Sequence, residues 1–176
     1  MKKSLIMLIT LGLAAGLAAS GGSIQLGNAP TAALLTRSGG DGLSVGYSID
    51  KLDYSEVQTP QGVFTDLQVA QYTTTNSTGL PRLPLLRQII SVPEGAEVVA
   101  EFGSTLRKTI KLGDAGLSHP LLPRQESVSK SADPAGIPFM VDRDFYGRDA
   151  WTKDPAISVT ELGHVRGHRL FANMAE

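Results

Sequence analysis

His164 and His168 lie four residues apart, a spacing that on a helix would set two imidazoles on one face, as a metal pair needs. Gly163 and Gly167 disfavour a helix, and residues 159–171 alternate in polarity as strands do. Along a strand, four residues span roughly 13 Å, too far for one ion with bonds of about 2.1 Å. The sequence therefore predicts two surface histidines and no metal. Asp142-Arg143-Asp144-Phe145-Tyr146-Gly147 begins like a calcium loop, with an acid at positions one and three and glycine at six. Tyr146 stands where position five wants Asp or Asn, and Lys153 stands where position twelve wants a bidentate Glu. A solvated turn is the better reading. No cysteine occurs in the chain, so it has no disulfide, thiolate metal site or cysteine nucleophile. There is no Gly-x-Ser-x-Gly elbow and no phosphate-cradling glycine loop before a helix. These absences predict no catalytic residue and no cofactor.

A chain of 176 residues can build one domain with a real core, burying roughly 70% of its unfolded surface. Nineteen glycines and ten prolines, set among many short apolar alternations, favour an all-β class. The formal charge of −1 offers no basic excess for nucleic acid and no acidic tail.

Residues 1–20 read as a signal peptide. Lys2 and Lys3 precede an apolar run from Leu5 to Leu17, and Ala18-Ala19-Ser20 gives small residues before a cut at Gly21. The run is short for a membrane span. Gly21 to Gly42, with six glycines, reads as a flexible lead-in. Leu43 to Ile49 alternates strictly as a strand, which Leu52, Tyr54 and Val57 continue after a bend. After a Thr59-Pro60-Gln61-Gly62 turn, Val63, Thr65, Leu67 and Val69 share one face of a second strand. The signal segment is of the kind bacterial chains carry, so the Asn76-Ser77-Thr78 glycosylation pattern is read as chance.

The organising stretch is Gly79 to Phe102. Gly79-Leu80-Pro81-Arg82-Leu83-Pro84 is an extended entry with two prolines three apart. Leu86 to Val92 is a strand, and Pro93-Glu94-Gly95 is a turn with proline expected at its second position. Ala96, Val98, Ala100 and Phe102 then share the buried face of a returning strand, so the stretch reads as a core β-hairpin. Leu106 to Leu112 alternates again as an exposed edge strand, with lysines that discourage pairing. Gly113 to Pro138 has no periodicity and four prolines, and a run of that length is functional or disordered. An aromatic segment with Phe145, Tyr146 and Trp151 follows, then a strand from Ile157 and a last strand ending near Phe171. The expected architecture is an all-β sandwich or jelly-roll-like fold of seven or more strands with a long Pro-rich loop.

Gly-x-Pro-x-Leu-Pro followed by a strand ending in Val-Pro-x-Gly-Ala resembles the N-terminal propeptide of gingipain-type secreted cysteine peptidases. The order of the flanking features is similar too: two strands before, Asp133-Pro134 and Ile137-Pro138-Phe139 after, then an aromatic segment, a strand and Val165-Arg166-Gly167. The resemblance covers roughly residues 43–170, with 43–176 expected to be the propeptide domain. In the family more strands and a peptidase domain follow the Arg-Gly segment, so the chain reads as a C-terminally truncated form.

The resemblance implies a secreted or cell-surface bacterial prodomain, exported through the periplasm. It would assist folding of a cognate cysteine endopeptidase and hold it latent, with no nucleic-acid partner and no membrane span after signal cleavage. The alternative is a non-catalytic extracellular β-sandwich that binds or adheres. In such propeptides a basic residue shortly before an acidic-or-Asn–Pro pair plugs the peptidase's specificity pocket. Here that implies Lys130, ahead of Asp133 and Pro134, the one cation between Arg124 and Arg143. Arg124 and Arg148 are the alternative plugs.

Overall fold

The computed structural model describes residues 20–38, 42–101, 103, 108–133, 136–148 and 157–175. Residues 1–19 of the expected signal segment 1–20, with Phe102, Leu106, Pro134 and Trp151, lie outside these residues. Among them, no helix is long and apolar enough to cross a membrane.

The fold is all-β, as expected. Among the described residues, nine strands form three antiparallel sheets: β1 (Gly21–Gln25), β4 (Lys51–Thr59) and β5 (Gly62–Gln68) in the first; β2 (Ala32–Ser38) and β3 (Gly42–Ser48) in the second; β6 (Thr73–Thr74), β7 (Pro84–Pro93), β9 (His168–Ala175) and β8 (Ile157–Val165) in the third. A single helical turn, α1 (Arg143–Tyr146), lies between β7 and β8. The segment read as a flexible lead-in instead carries β1 and β2. Gly21 to Gln25 pairs with Lys51 to Ser55, and Ala32 to Ser38 pairs with Gly42 to Ser48. Glycine-rich composition masked strands whose backbone groups find partners further along the chain. Likewise the first alternating run is two strands, β3 and β4, in different sheets.

The expected central hairpin is half right. The turn is present, with the Ala96 amide donating to the Pro93 carbonyl at 3.3 Å, so proline takes its first position rather than its second. Yet residues 96–101 form no strand. β7 pairs with β9 instead, from Leu86 opposite Ala175 to Pro93 opposite His168. Residues 96–100 keep their alternation of half-buried and exposed positions, and the Arg169 guanidinium reaches the Ala96 carbonyl at 2.9 Å. Lys108 to Lys111, read as part of an edge strand, is also not in a strand. The Lys108 ammonium instead donates to the Gln25 carbonyl at 2.9 Å.

The core gathers around β5. Phe64, Leu67, Val69, Leu85, Leu117, Leu122, Phe171 and Ala172 are buried, and Thr65 and Asp66 are buried with them. Residues 64–67 are thus covered on both faces, whereas one buried face was expected. On the unexpected face Phe139 packs on Phe64 and Arg82 meets Asp66, while the Pro-rich segment pairs along the edge of β5. Thr65 lies beside Leu121 in a parallel bridge: its amide donates to the Pro120 carbonyl (2.8 Å) and its carbonyl accepts from the Leu122 amide (2.7 Å). On its other edge the segment pairs with the Gly-Leu-Pro-Arg entry. The Arg82 amide donates to the Leu122 carbonyl (2.8 Å) and the Arg124 amide to the Leu80 carbonyl (2.7 Å). Residues 119–124 therefore run as an extra extended element between β5 and residues 79–82.

Candidate functional site

Gly79 is where three chain segments meet. Its amide donates to the Arg124 carbonyl (2.8 Å) and its carbonyl accepts from the Asp142 amide (3.0 Å). Its φ is +82°, and a Cβ there would sit 3.2 Å from the Asp142 nitrogen, so only glycine fits this crossing comfortably. Asp142 itself caps α1, its Oδ1 accepting from the Phe145 amide at 2.9 Å. The acid that opened the apparent calcium loop is thus a helix cap. Among the described residues, no three His, Cys, Asp or Glu side chains cluster as a metal ion would require.

Two side chains fasten the Pro-rich run at this crossing. The Tyr146 hydroxyl donates to the Leu121 carbonyl at 2.7 Å, and burial pushes its pKa up to about 12. The Gln125 amide acts as a two-way clasp. Its Oε1 accepts from the Met140 amide and its Nε2 donates to the Met140 carbonyl, both at 2.9 Å. A second glutamine, Gln61, donates to the Phe139 carbonyl at 3.0 Å, and the Phe139 ring packs on Phe64 with centroids 5.6 Å apart. Residues 125 and 140 therefore form a closed neck, and the chain leaves the body at Glu126 as a loop.

Every residue from Glu126 to Asp133 on that loop is exposed. Its outer end is a tight turn: the Ala132 amide donates to the Ser129 carbonyl at 3.0 Å. Lys130 occupies the second position of this turn. Within the turn, the Ser129 and Ser131 hydroxyls are 2.9 Å apart, and the Ser131 amide donates to Ser129 Oγ at 3.3 Å. The Asp133 carbonyl accepts from the Gly136 amide at 3.1 Å. Lys130 is thus held out on a small, internally bonded turn above a fixed neck.

The other two cations sit differently. Arg124 is at the neck, half-buried, with both backbone groups spent on Leu80 and Gly79. Its side chain lines a shallow cleft with Asn76, Thr78, Gln125, Glu126 and Ser127. Arg148 follows α1, exposed, its amide donating to the Phe145 carbonyl at 3.2 Å. The structure does not bring Lys130, Arg124 and Arg148 into one cluster, and their settings are tip, neck and helix end.

The two histidines lie on opposite arms of the β8–β9 hairpin. The turn is Arg166-Gly167, with φ of +50° and +78°, which gives the mirror-image turn that suits strand twist. His164 pairs with Arg169 and His168 with Val165, so the imidazoles project to opposite faces. Spacing along a single strand was the wrong geometry for them. His164 Nε2 lies 3.7 Å from Glu94 and 3.8 Å from Glu161, and Glu161 is bridged by Arg169 at 2.7 and 3.1 Å. That hydrogen bond from Arg169 holds the Glu161 carboxyl below its usual range.

Sequence reasoning missed the neck and the buried ion pair beneath it. The Arg82 guanidinium grips the Asp66 carboxylate through both Nε (3.0 Å) and a terminal nitrogen, and Gln68 adds a 2.8 Å bond. An aspartate inside an apolar strand pattern was the available signal. Gln125 gave none.

Comparison with known proteins places the chain as a whole. Lys-gingipain of Porphyromonas gingivalis is 30% identical over 172 residues, 98% of this chain and 10% of that protein. Gingipain R1 of the same organism is 29% identical over 152 residues, covering 81% of this chain and 14% of its own length. The chain thus spans about a tenth of the length of the first of these relatives. A solved structure addressing the zymogenic latency of gingipain K superimposes with a TM-score of 0.81 at 28% identity, covering 88% of this chain and 85% of that one. A complex of the RgpB pro- and mature domains shares the fold alone, with a TM-score of 0.52 at 15% identity over 81% and 71% of the two chains. The family Propeptide_C25 matches residues 23–170, beginning inside β1. With that match across most of its length, the chain belongs to the Propeptide_C25 family of gingipain-type propeptides.

Proposed function

We propose that this chain is a non-catalytic prodomain that assists the folding of a gingipain-type cysteine endopeptidase and keeps it latent by placing Lys130 in its specificity pocket. The domain would begin at β1, behind a signal peptide of residues 1–20 that directs it through the periplasm. The partner is the cognate peptidase domain.

The observation that carries this reading is the position of Lys130, alone at the outer turn of an exposed loop whose base is clasped by Gln125. A lysine-accepting pocket carries a buried acid. An ammonium entering it makes a charge-assisted hydrogen bond in low dielectric. Losing that group would leave the acid unpaired at about 2–5 kcal/mol, or roughly 30-fold to several-thousand-fold in affinity. The closed neck lowers the ordering cost, because the ends of the loop are already fixed. Arg124 suits the role less well, since its backbone is committed at the neck.

The test uses mature Lys-gingipain as the probe. The purified chain should bind it, and a lysyl chloromethyl ketone that fills the pocket beforehand should abolish binding. Undiminished binding to the blocked peptidase would place the contact elsewhere.

A further inference from the structure

A lysine offered to a lysine-specific peptidase is ordinarily a substrate. Hydrolysis of the Lys130–Ser131 bond would consume one water, leaving a carboxylate on Lys130 and a free amine on Ser131. Peptidases take the residues around a scissile bond in extended form, with backbone hydrogen bonds to the enzyme as in an added strand. Here that bond is the central peptide of the turn closed between Ser129 and Ala132. The turn carries two further bonds of its own. The Ser129 and Ser131 hydroxyls meet at 2.9 Å, and the Ser131 amide is engaged by Ser129 Oγ. Both serines flank Lys130 directly, and both are exposed, so neither serves the core.

We propose that Ser129 and Ser131 lock the Lys130 turn, so that the lysine head can enter a pocket while the Lys130–Ser131 bond stays out of the extended geometry that cleavage requires. The serines are positioning residues that decide between inhibitor and substrate. This rests on the reading of Lys130 given above. Opening the turn must break the Ala132–Ser129 bond and give up both serine contacts. Removing the hydroxyls makes opening easier by about tenfold, the factor expected for the loss of one to two modest hydrogen bonds.

The experiment compares the full chain with Ser129→Ala/Ser131→Ala, Ser129→Thr/Ser131→Thr and Lys130→Ala. Each is incubated with trypsin and, separately, with mature Lys-gingipain. Cleavage of the 130–131 bond is followed by mass spectrometry and residual peptidase activity by a lysyl substrate. The double alanine variant should be cut at Lys130 about ten times faster by trypsin. Its inhibition of Lys-gingipain should start near the wild-type level and decay as the bond is cut. The double threonine variant, which keeps both hydroxyls, should resist as wild type does. Equal trypsin rates for wild type and double alanine would overturn the lock, whatever Lys-gingipain does. Rapid cutting of the wild type by Lys-gingipain at Lys130 would also overturn it. If Lys130→Ala inhibits as well as wild type, the pocket reading fails, and the trypsin comparison still decides the lock.

Discussion

The two halves of the Pro-rich run both lack periodicity and have opposite fates. Residues 117–125 hold Leu117, Leu122 and Pro123 in the interior and spend their backbone groups on Thr65, Leu80, Arg82 and Gly79. Residues 126–133 are all exposed, and Ser129, Ser131 and Ala132 bond to one another within the loop. The difference follows from side chains. Leu117, Leu121 and Leu122 give the first half apolar surface worth roughly 1.5–3 kcal/mol each when buried. Glu-Ser-Val-Ser-Lys-Ser-Ala-Asp gives the second half little to bury and much to hydrate. Lack of periodicity therefore has two meanings here, a core strap and a projecting loop, and Gln125 stands at the boundary.

Substitutions should break this contrast in graded fashion. Arg82→Ala should cost the most, about 3 kcal/mol, because Asp66 is only 2% exposed and would keep an unpaired charge. A fall in the urea midpoint measures it, and a loss below 1 kcal/mol would mean that water reaches Asp66. Phe64→Ala should cost a similar amount, about 3 kcal/mol, through the cavity left against Phe139. Gln125→Ala should cost about 1–2 kcal/mol, yet its clearest effect should be local. Amide exchange across residues 126–138 should quicken while β5 stays protected. Uniform quickening would show that the clasp supports the whole fold rather than the loop.

Tyr146 offers a pH test. Its folded pKa is raised to about 12 by burial, above the unfolded value of 10.0. Between these values the folded state holds a proton that the unfolded state has lost, so stability is full below pH 10 and falls as pH rises towards about 12. Tyr146→Phe should flatten part of that fall and cost about 1 kcal/mol at neutral pH from the lost bond to Leu121. An unchanged alkaline profile would place the tyrosine in water. The smallest stability effect belongs to Lys130→Ala, within about 0.5 kcal/mol, because the side chain is exposed on a loop outside the core.

How much of this was legible in the sequence depends on which contacts are local. Alternation at 96–100 survives as half-buried and exposed positions but did not report partnership, since β7 takes its partner from the far end of the chain. The same non-local pairing hid β1 and β2 among glycines. At β5 the pattern of Val63, Thr65, Leu67 and Val69 gave one face and missed the other, because Phe139 and Arg82, which meet Phe64 and Asp66 there, lie far along the chain. The exposure of residues 126–133 was legible from their polarity. The clasp that closes the neck was not, since a glutamine bonding to a backbone fifteen residues away leaves no pattern.

The central claim is that Lys130, and not the body of the domain, confers latency. The most direct measurement is the inhibition constant of the purified chain against mature Lys-gingipain, wild type beside Lys130→Ala, with urea midpoints recorded for both. The account predicts a loss of about 30-fold or more with unchanged midpoints. Inhibition by Lys130→Ala within about threefold of wild type, a difference of under 1 kcal/mol, would contradict it.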